Sequence, residues 1–565
     1  MARSPRGFLV IVILLAFLTL TGCTALSRWR PQPTRSAATA PTAAVTTTSL
    51  PPFATPVSST ATALPPTLTA APTMLPSLTS APPSATLTPT LPSTAMPTLT
   101  PTPTSAWLEL AARALRPEVR DDVARLADAP FYDVELRVAL EGEPYVTGSA
   151  RVVYRNRTAA PLSELVFRLY PNTRIYASRL TIQQALVNGQ PVAFALAVED
   201  TALRLPLNPP LPPGERTVVE LAFTTTIPVD NLVAYRMINY AADVVVLNDV
   251  FPLLAVHDAQ GWDLMPVAEQ GDAVSSEVAF FQMRLTAPRE MVVAASGVAI
   301  GYEEQGDGTA TWAFVTGPAR TVAIVMSDSF EVVETTVDGI AVRSYYLPQD
   351  QVGGEAMLQY AADALRVYGA RFGPYPYTEL DVVEAPIGAG GMESPGLIMI
   401  QDQHYTLHEG YAEFVTVHEV AHQWWYNLVG NHQQAAPWID ESLTNYCVLP
   451  YYQEVRRSAR AAEAKVWYLS GPYELAREAS QDLPINMPAG AYPNPIYYRI
   501  VYAKGGLFYD ALQARLGDER FFAILRDYAD AYRWGIVTEA ELLGFWRERA
   551  GQGIEDLIQQ WVVGP

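Results

Sequence analysis

The run His418-Glu419-Val420-Ala421-His422, followed by Trp438-Ile439-Asp440-Glu441, decides how this sequence is read. On a helix, residues i and i+4 share a face, so the imidazoles of His418 and His422 reach one ion. Glu419, beside the first histidine, points at a water held by that ion. A zinc ion of catalytic type takes three protein ligands and keeps one position open. Glu441, nineteen positions past His422, supplies the third. Two neutral imidazoles and one carboxylate leave a net positive site, which lowers the pKa of a bound water to about 7 and polarises a carbonyl. His404 and His408 are also four apart, but they lack the interposed Glu and a third ligand, and they read as surface or packing residues.

Around this centre the pattern is helical. Met357, Tyr360, Ala361, Ala364, Leu365 and Tyr368 recur at helical spacing, and Phe372-Gly373-Pro374-Tyr375-Pro376 stops that helix. Helices are also expected over Phe414 to Leu428, Leu507 to Leu516 and Phe521 to Tyr532. Upstream the period changes to two. Val134, Leu136, Val138 and Leu140 alternate, as do Ala150, Val152 and Tyr154, and turn signals such as Pro212-Pro213-Gly214 separate the runs. The ordered chain therefore reads as multidomain α+β, with a β-rich domain over 108–335 and a mostly helical domain over 336–565.

The first hundred residues read differently. Arg3 and Arg6 precede an apolar run from Phe8 to Leu20, too short for a comfortable membrane span of about 20 residues. Leu20-Thr21-Gly22-Cys23 follows and resembles the bacterial lipobox, in which the cysteine is lipidated and heads the mature chain. Residues 1–23 are thus expected to be a lipoprotein signal peptide, with the mature protein in the cell envelope, extracytoplasmic and anchored to the membrane through Cys23. Residues 24–107 are expected to be a disordered linker. From Ser36 to Trp107 no residue is charged, and Thr, Pro, Ala, Ser and Leu dominate. Such a composition buries too little apolar surface to offset chain entropy. This stretch explains why the chain has 47 prolines.

Composition excludes other classes. With 58 Asp+Glu against 38 Lys+Arg, the net charge is -20, which argues against a nucleic-acid partner. Two cysteines, Cys23 and Cys447, rule out a disulfide framework and a cysteine-rich metal site.

The histidine run and its flanks resemble the aminopeptidase N-like zinc metallopeptidases of the gluzincin group. His418, Glu419, His422 and Glu441 match that family's His-Glu-x-x-His and distant Glu. Gly390-Gly391-Met392-Glu393-Ser394 resembles its Gly-x-Met-Glu-Asn segment, with Ser394 in place of Asn. Tyr502-Ala503-Lys504-Gly505 resembles its Tyr-x-Lys-Gly segment, and Lys504 is one of two lysines in the chain. The resemblance covers roughly 130–565 and implies a saddle-like N-terminal β domain followed by a thermolysin-like catalytic domain. It also implies one zinc ion per chain on His418, His422 and Glu441, with Glu419 as general base and acid. Tyr502 is implied as a donor to the tetrahedral oxyanion. Glu393 is implied to grip the substrate's free α-amine, while Gly390, Gly391 and Met392 line the cleft. The sequence ends about 60 residues past Tyr502, so the large helical C-terminal domain of many members is expected to be absent.

The expected activity is removal of N-terminal residues from peptides that carry a free N-terminus. Two alternatives stay open on the sequence: a zinc endopeptidase on the same scaffold, and a zinc-containing surface protein without turnover. Oligomeric state and the preferred first residue are not readable.

Overall fold

The computed structural model describes residues 105–231, 235–407 and 410–564. The expected signal peptide, Cys23, most of the linker and His408 lie outside these residues. The described residues open with helix Ser105–Ala111, which includes the last three residues of the expected linker, and Trp107 stacks on Phe131 at 3.8 Å between ring centroids.

The β-rich part is built on alternation. In β1 (Phe131–Ala139), Val134, Leu136 and Val138 are buried while Glu135 and Arg137 are exposed. β1 lies at the middle of an eight-stranded sheet. It pairs antiparallel with β2 (Tyr145–Arg155), Val134 opposite Ala150, and parallel with β3 (Phe280–Pro288), Phe131 opposite Phe280. Two four-stranded sheets pack against it and share its core.

The second part opens with a five-stranded mixed sheet of β4 (Glu331–Val337), β5 (Ile340–Tyr346), β6 (Glu379–Ala385), β7 (Gly391–Met392) and β8 (Leu397–Gln401), in the order β4-β5-β6-β8-β7. The expected boundary at 335/336 falls inside β4. The runs Val382-Val383 and Leu397-Ile398-Met399-Ile400 are apolar without alternation because both faces of this sheet are covered. Val382, Ile398 and Ile400 face the helical core, whereas Val383, Leu397 and Met399 join the core of the β-rich part.

Helix α1 (Gln351–Phe372) buries Met357, Ala361, Ala364, Leu365 and Tyr368, and ends at Gly373, whose φ of 106° suits glycine. Helices α2 (Tyr411–Ala421) and α3 (Trp438–Tyr451) run through the interior and are buried on nearly every side. α4 (Gly505–Leu516) and α5 (Asp518–Ala531) pack outside them. The architecture is thus the expected β-rich part followed by a mostly helical part. One helix is shorter than its periodicity predicted. α2 stops at Ala421 rather than near Leu428, because Asn427 N–H returns to the His422 carbonyl and Tyr426 turns the chain at φ 113°. Among the described residues no helix is long and apolar enough to cross a membrane.

Candidate metal centre and substrate cleft

α2 carries His418 and Glu419, and His422 caps its C-terminus. α3 brings Glu441 in its first turn. The helices cross so that three buried ligand atoms converge. His418 Nε2 and His422 Nε2 lie 3.2 Å apart, and Glu441 Oε2 is 3.3 and 3.4 Å from them. A tetrahedral zinc with bonds of about 2.0–2.1 Å places its ligands about 3.3–3.4 Å apart, so the triangle has the size the ion requires. Its chemistry agrees. Nδ1 of His422 lies 2.8 Å from the Trp425 carbonyl, an acceptor only, so the proton sits on Nδ1 and the Nε2 lone pair faces the triangle. Glu441 Oε2 is buried and accepts no hydrogen bond from the described residues. A cation satisfies all three.

The protein's own charges show the same need. Burial opposes a charge on His422, yet Glu393, Glu441 and Glu419 together push its pKa well above the ordinary imidazole value. A bound cation displaces that proton. Burial pushes the pKa of His418 down. Burial disfavours ionised Glu441, but both imidazoles outweigh it and hold the carboxyl well below the usual carboxylate range.

Glu419 stands beside the triangle with its carboxyl pushed well above the usual range, chiefly by burial. It packs on the bare backbone of Gly391, where a Cβ would fall 2.3 Å from Glu419 Oε1. Gly391 and Met392 form the edge strand β7, and the Gly390 carbonyl accepts from Gln401 N–H. Glu393 follows. Its ligand atoms lie within 4.8 Å of those of Glu419 and His422. Gln433 donates to its Oε1 at 3.0 Å, and Asn427 to its main-chain carbonyl at 2.7 Å. Ser394, where the resembling motif has Asn, is buried and donates to Asn248 Oδ1 at 3.1 Å, while Gln423 holds its carbonyl. The loop is therefore fixed from both parts of the chain.

The structure brings Tyr502 to the centre, where its hydroxyl donates to Glu441 Oε1 at 2.5 Å. It lies on the π-helical stretch Tyr498–Lys504, a winding common at functional sites. Lys504 points away. It is fully buried and donates to Asp482 Oδ1, the Leu483 carbonyl and the Gly564 carbonyl at 2.7–2.8 Å. Gly505 lets α4 approach α3, since a Cβ there would lie 1.9 Å from Ser442 Oγ. Each fixed position of the Tyr-x-Lys-Gly segment thus has a separate mechanical reason.

Cys447 is buried and accepts from Trp425 Nε1 at 3.1 Å. His404 is buried against Tyr411, and His432 pairs with Asp263 at 2.9 Å. Sequence reasoning missed Asp272, which shares a small pocket with Glu393, Met392, Tyr426 and Gln433. Its carboxyl is pushed well above the usual range by burial, then by Glu393 and Glu441. No motif or periodicity marks it.

A buried His-Glu-x-x-His helix and a glutamate from the next buried helix, behind a β-rich part, make the fold of a zinc metallopeptidase. Residues 356–561 match the Peptidase family M1 domain, and the chain is similar to aminopeptidases that carry that family's name. It is 25% identical over 386 residues to Aminopeptidase M1-A of Oryza sativa subsp. japonica, covering 64% of this chain and 42% of the relative. It is 26% identical over 188 residues to Aminopeptidase N of Lactococcus lactis subsp. lactis, covering 31% and 22%. The chain spans less than half the length of these relatives. The M1 zinc metallopeptidase of Deinococcus radiodurans shares the fold, with a TM-score of 0.60 and 23% identity over 77% of this chain and 94% of that one. A mutant of that protein, solved with a Tyr-Ser-Ala substrate, aligns with a TM-score of 0.59.

Proposed function

We propose that the protein is a zinc-dependent aminopeptidase holding one ion on His418, His422 and Glu441. The observation that carries this reading is Glu393. Its buried carboxylate stands beside Glu419 and His422 with Asp272 across the same pocket. A peptide's α-ammonium, whose pKa is about 7.7–8.0, pairs with that carboxylate and sets the first peptide bond at the metal centre. Zinc, when bound, polarises a carbonyl and acidifies water. Glu419 takes a proton from the attacking water and passes it to the leaving amine. Tyr502 steadies Glu441 and would donate its hydroxyl to the developing negative charge. The peptide-bound relative and the aminopeptidase names of the matched proteins support the substrate class.

The test compares one peptide with a free and an acetylated amine, with and without chelator. Chelation should abolish turnover, and acetylation should abolish cleavage by the native chain. Glu393→Ala should lower efficiency on the free amine and narrow its advantage. A native protein that cuts internal bonds of an acetylated peptide is an endopeptidase, and one that cuts nothing is a binding protein.

We also infer that Cys23 carries a lipid anchor and that the chain between it and the helix beginning at Ser105 is a stalk, which would reach about 250 Å if stretched as polyproline II at about 3.1 Å per residue. Cys23→Ser should release the protein from the membrane fraction with its activity intact. Detergent-dependent extraction of that variant would point to a signal anchor instead.

A further inference from the structure

Arg320 is a fully buried guanidinium whose partners are carbonyls rather than a carboxylate. It lies between two strands of the β-rich part. Nε donates to the Tyr426 carbonyl at 2.6 Å, one terminal nitrogen to the Ser276 carbonyl at 3.0 Å and the other to the Gly535 carbonyl at 2.5 Å. The three carbonyls come from the turn after the zinc helix, the β-rich part and the C-terminal helices. Gly430 opens the slot, since a Cβ there would lie 2.2 Å from Arg320 Cζ.

The turn it grips is strained and serves two functional groups. Tyr426 has φ 113°, an outlier for a bulky side chain that persists only where its surroundings enforce it. The residue before it, Trp425, presents the carbonyl that accepts from His422 Nδ1. The residue after it, Asn427, holds the Glu393 carbonyl. The Tyr426 hydroxyl donates to the Val274 carbonyl at 2.6 Å, two residues from Ser276, so the β-rich part holds Tyr426 by both ends. If the peptide at 426 relaxed, Trp425 and Asn427 would rotate away from both groups.

We propose that Arg320 is a positioning residue for the metal centre and the amine clamp. By holding the Tyr426 carbonyl it keeps the strained turn in the one conformation that orients His422 and Glu393 together. The inference rests on the zinc reading above.

The test uses the full chain and zinc itself, with affinity read by chelator competition and melting measured in parallel. Arg320→Lys keeps the charge but not the planar fork that reaches three diverging carbonyls. It should weaken zinc by about tenfold or more, the usual cost of losing an outer partner, and narrow the preference for free over acetylated amines. Tyr426→Gly tolerates the positive φ without enforcement, so adding it to Arg320→Lys should restore most of the affinity. Unchanged zinc affinity in Arg320→Lys, or a loss that Tyr426→Gly leaves uncorrected and that tracks melting temperature, overturns the proposal. A native chain that binds no zinc overturns the metal reading and this inference together. Native binding with an indifferent Arg320→Lys overturns the inference alone.

Discussion

The hydroxyl of Tyr502 meets the oxygen of Glu441 that is turned away from the histidines, at 2.5 Å. One carboxylate therefore has its two oxygens assigned, Oε2 to the metal triangle and Oε1 to the tyrosine. The tyrosine ring also lies over His418, 5.8 Å between centroids and 19° from parallel. Tyr502→Phe removes the hydroxyl and keeps the ring. Turnover should fall about 10²–10³-fold, the usual cost of a lost oxyanion donor, while zinc affinity falls by about tenfold through Glu441. Steady-state kinetics at saturating zinc separate the two. Full turnover with weakened zinc would reduce Tyr502 to a support for Glu441.

Glu419 and Gly391 are coupled by contact. A methyl group at 391 overlaps Oε1, Cδ and Cγ of Glu419 together, so the carboxyl has to leave its place. Gly391→Ala should lower turnover by about 10²-fold, as misplacement by about an ångström does, with zinc content retained. Glu419→Gln, which keeps the shape and removes the base, should lower it at least as far. Zinc by mass spectrometry and turnover on both variants test this. A fully active Gly391→Ala would mean that the edge strand yields and does not aim the base.

Much of this centre was legible because the chemistry requires local spacing. His418 and His422 had to be four apart on one helix, and Glu441 and Tyr502 fell at the distances the resembling family shows. The unbroken apolar runs at 382–383 and 397–400 are explained by a sheet covered on both faces. What stayed hidden depends on contacts distant in sequence. Arg320 meets Tyr426 across 106 residues and Gly535 across 215, and Asp272 reaches the cleft from a stretch without periodicity. The end of α2 is hidden in the sequence for the same reason. Trp424, Trp425 and Leu428 keep an apolar rhythm, but they are buried by a turn whose shape comes from partners elsewhere.

Lys504 offers a stability test away from the chemistry. Its ammonium ties Asp482 to the last residues of the chain through three hydrogen bonds in a site with no exposure. Lys504→Met leaves Asp482 with the Tyr473 hydroxyl but without its cation, and takes the donor from two carbonyls. Breaking a buried pair from one side costs about 3–5 kcal/mol, and urea unfolding should show a loss of that order. An unchanged midpoint would show that water replaces the ammonium at little cost.

The acid limb of stability should carry the mark of His404. This side chain is buried, its ring 5.0 Å from that of Tyr411 in an edge-on arrangement, and its Nε2 has no hydrogen-bond partner among the described residues. Burial disfavours the imidazolium and lowers the pKa from 6.5 to about 4. The folded state thus binds fewer protons than the unfolded state between those values. Stability from a neutral His404 is complete above pH about 6.5, falls as pH drops, and is gone below about 4. At about 1.4 kcal/mol per pH unit the loss is on the order of 3 kcal/mol. His404→Phe keeps an aromatic ring against Tyr411 and cannot take up a proton. Urea unfolding of the native chain and this variant at pH 7, 6, 5 and about 4 isolates the contribution, because every other titrating group is common to both. The native chain should lose more stability than the variant across that window, with the gap opening below pH about 6.5. Parallel curves would mean that His404 is protonated in the folded protein without penalty, and that water or a polar neighbour reaches its ring.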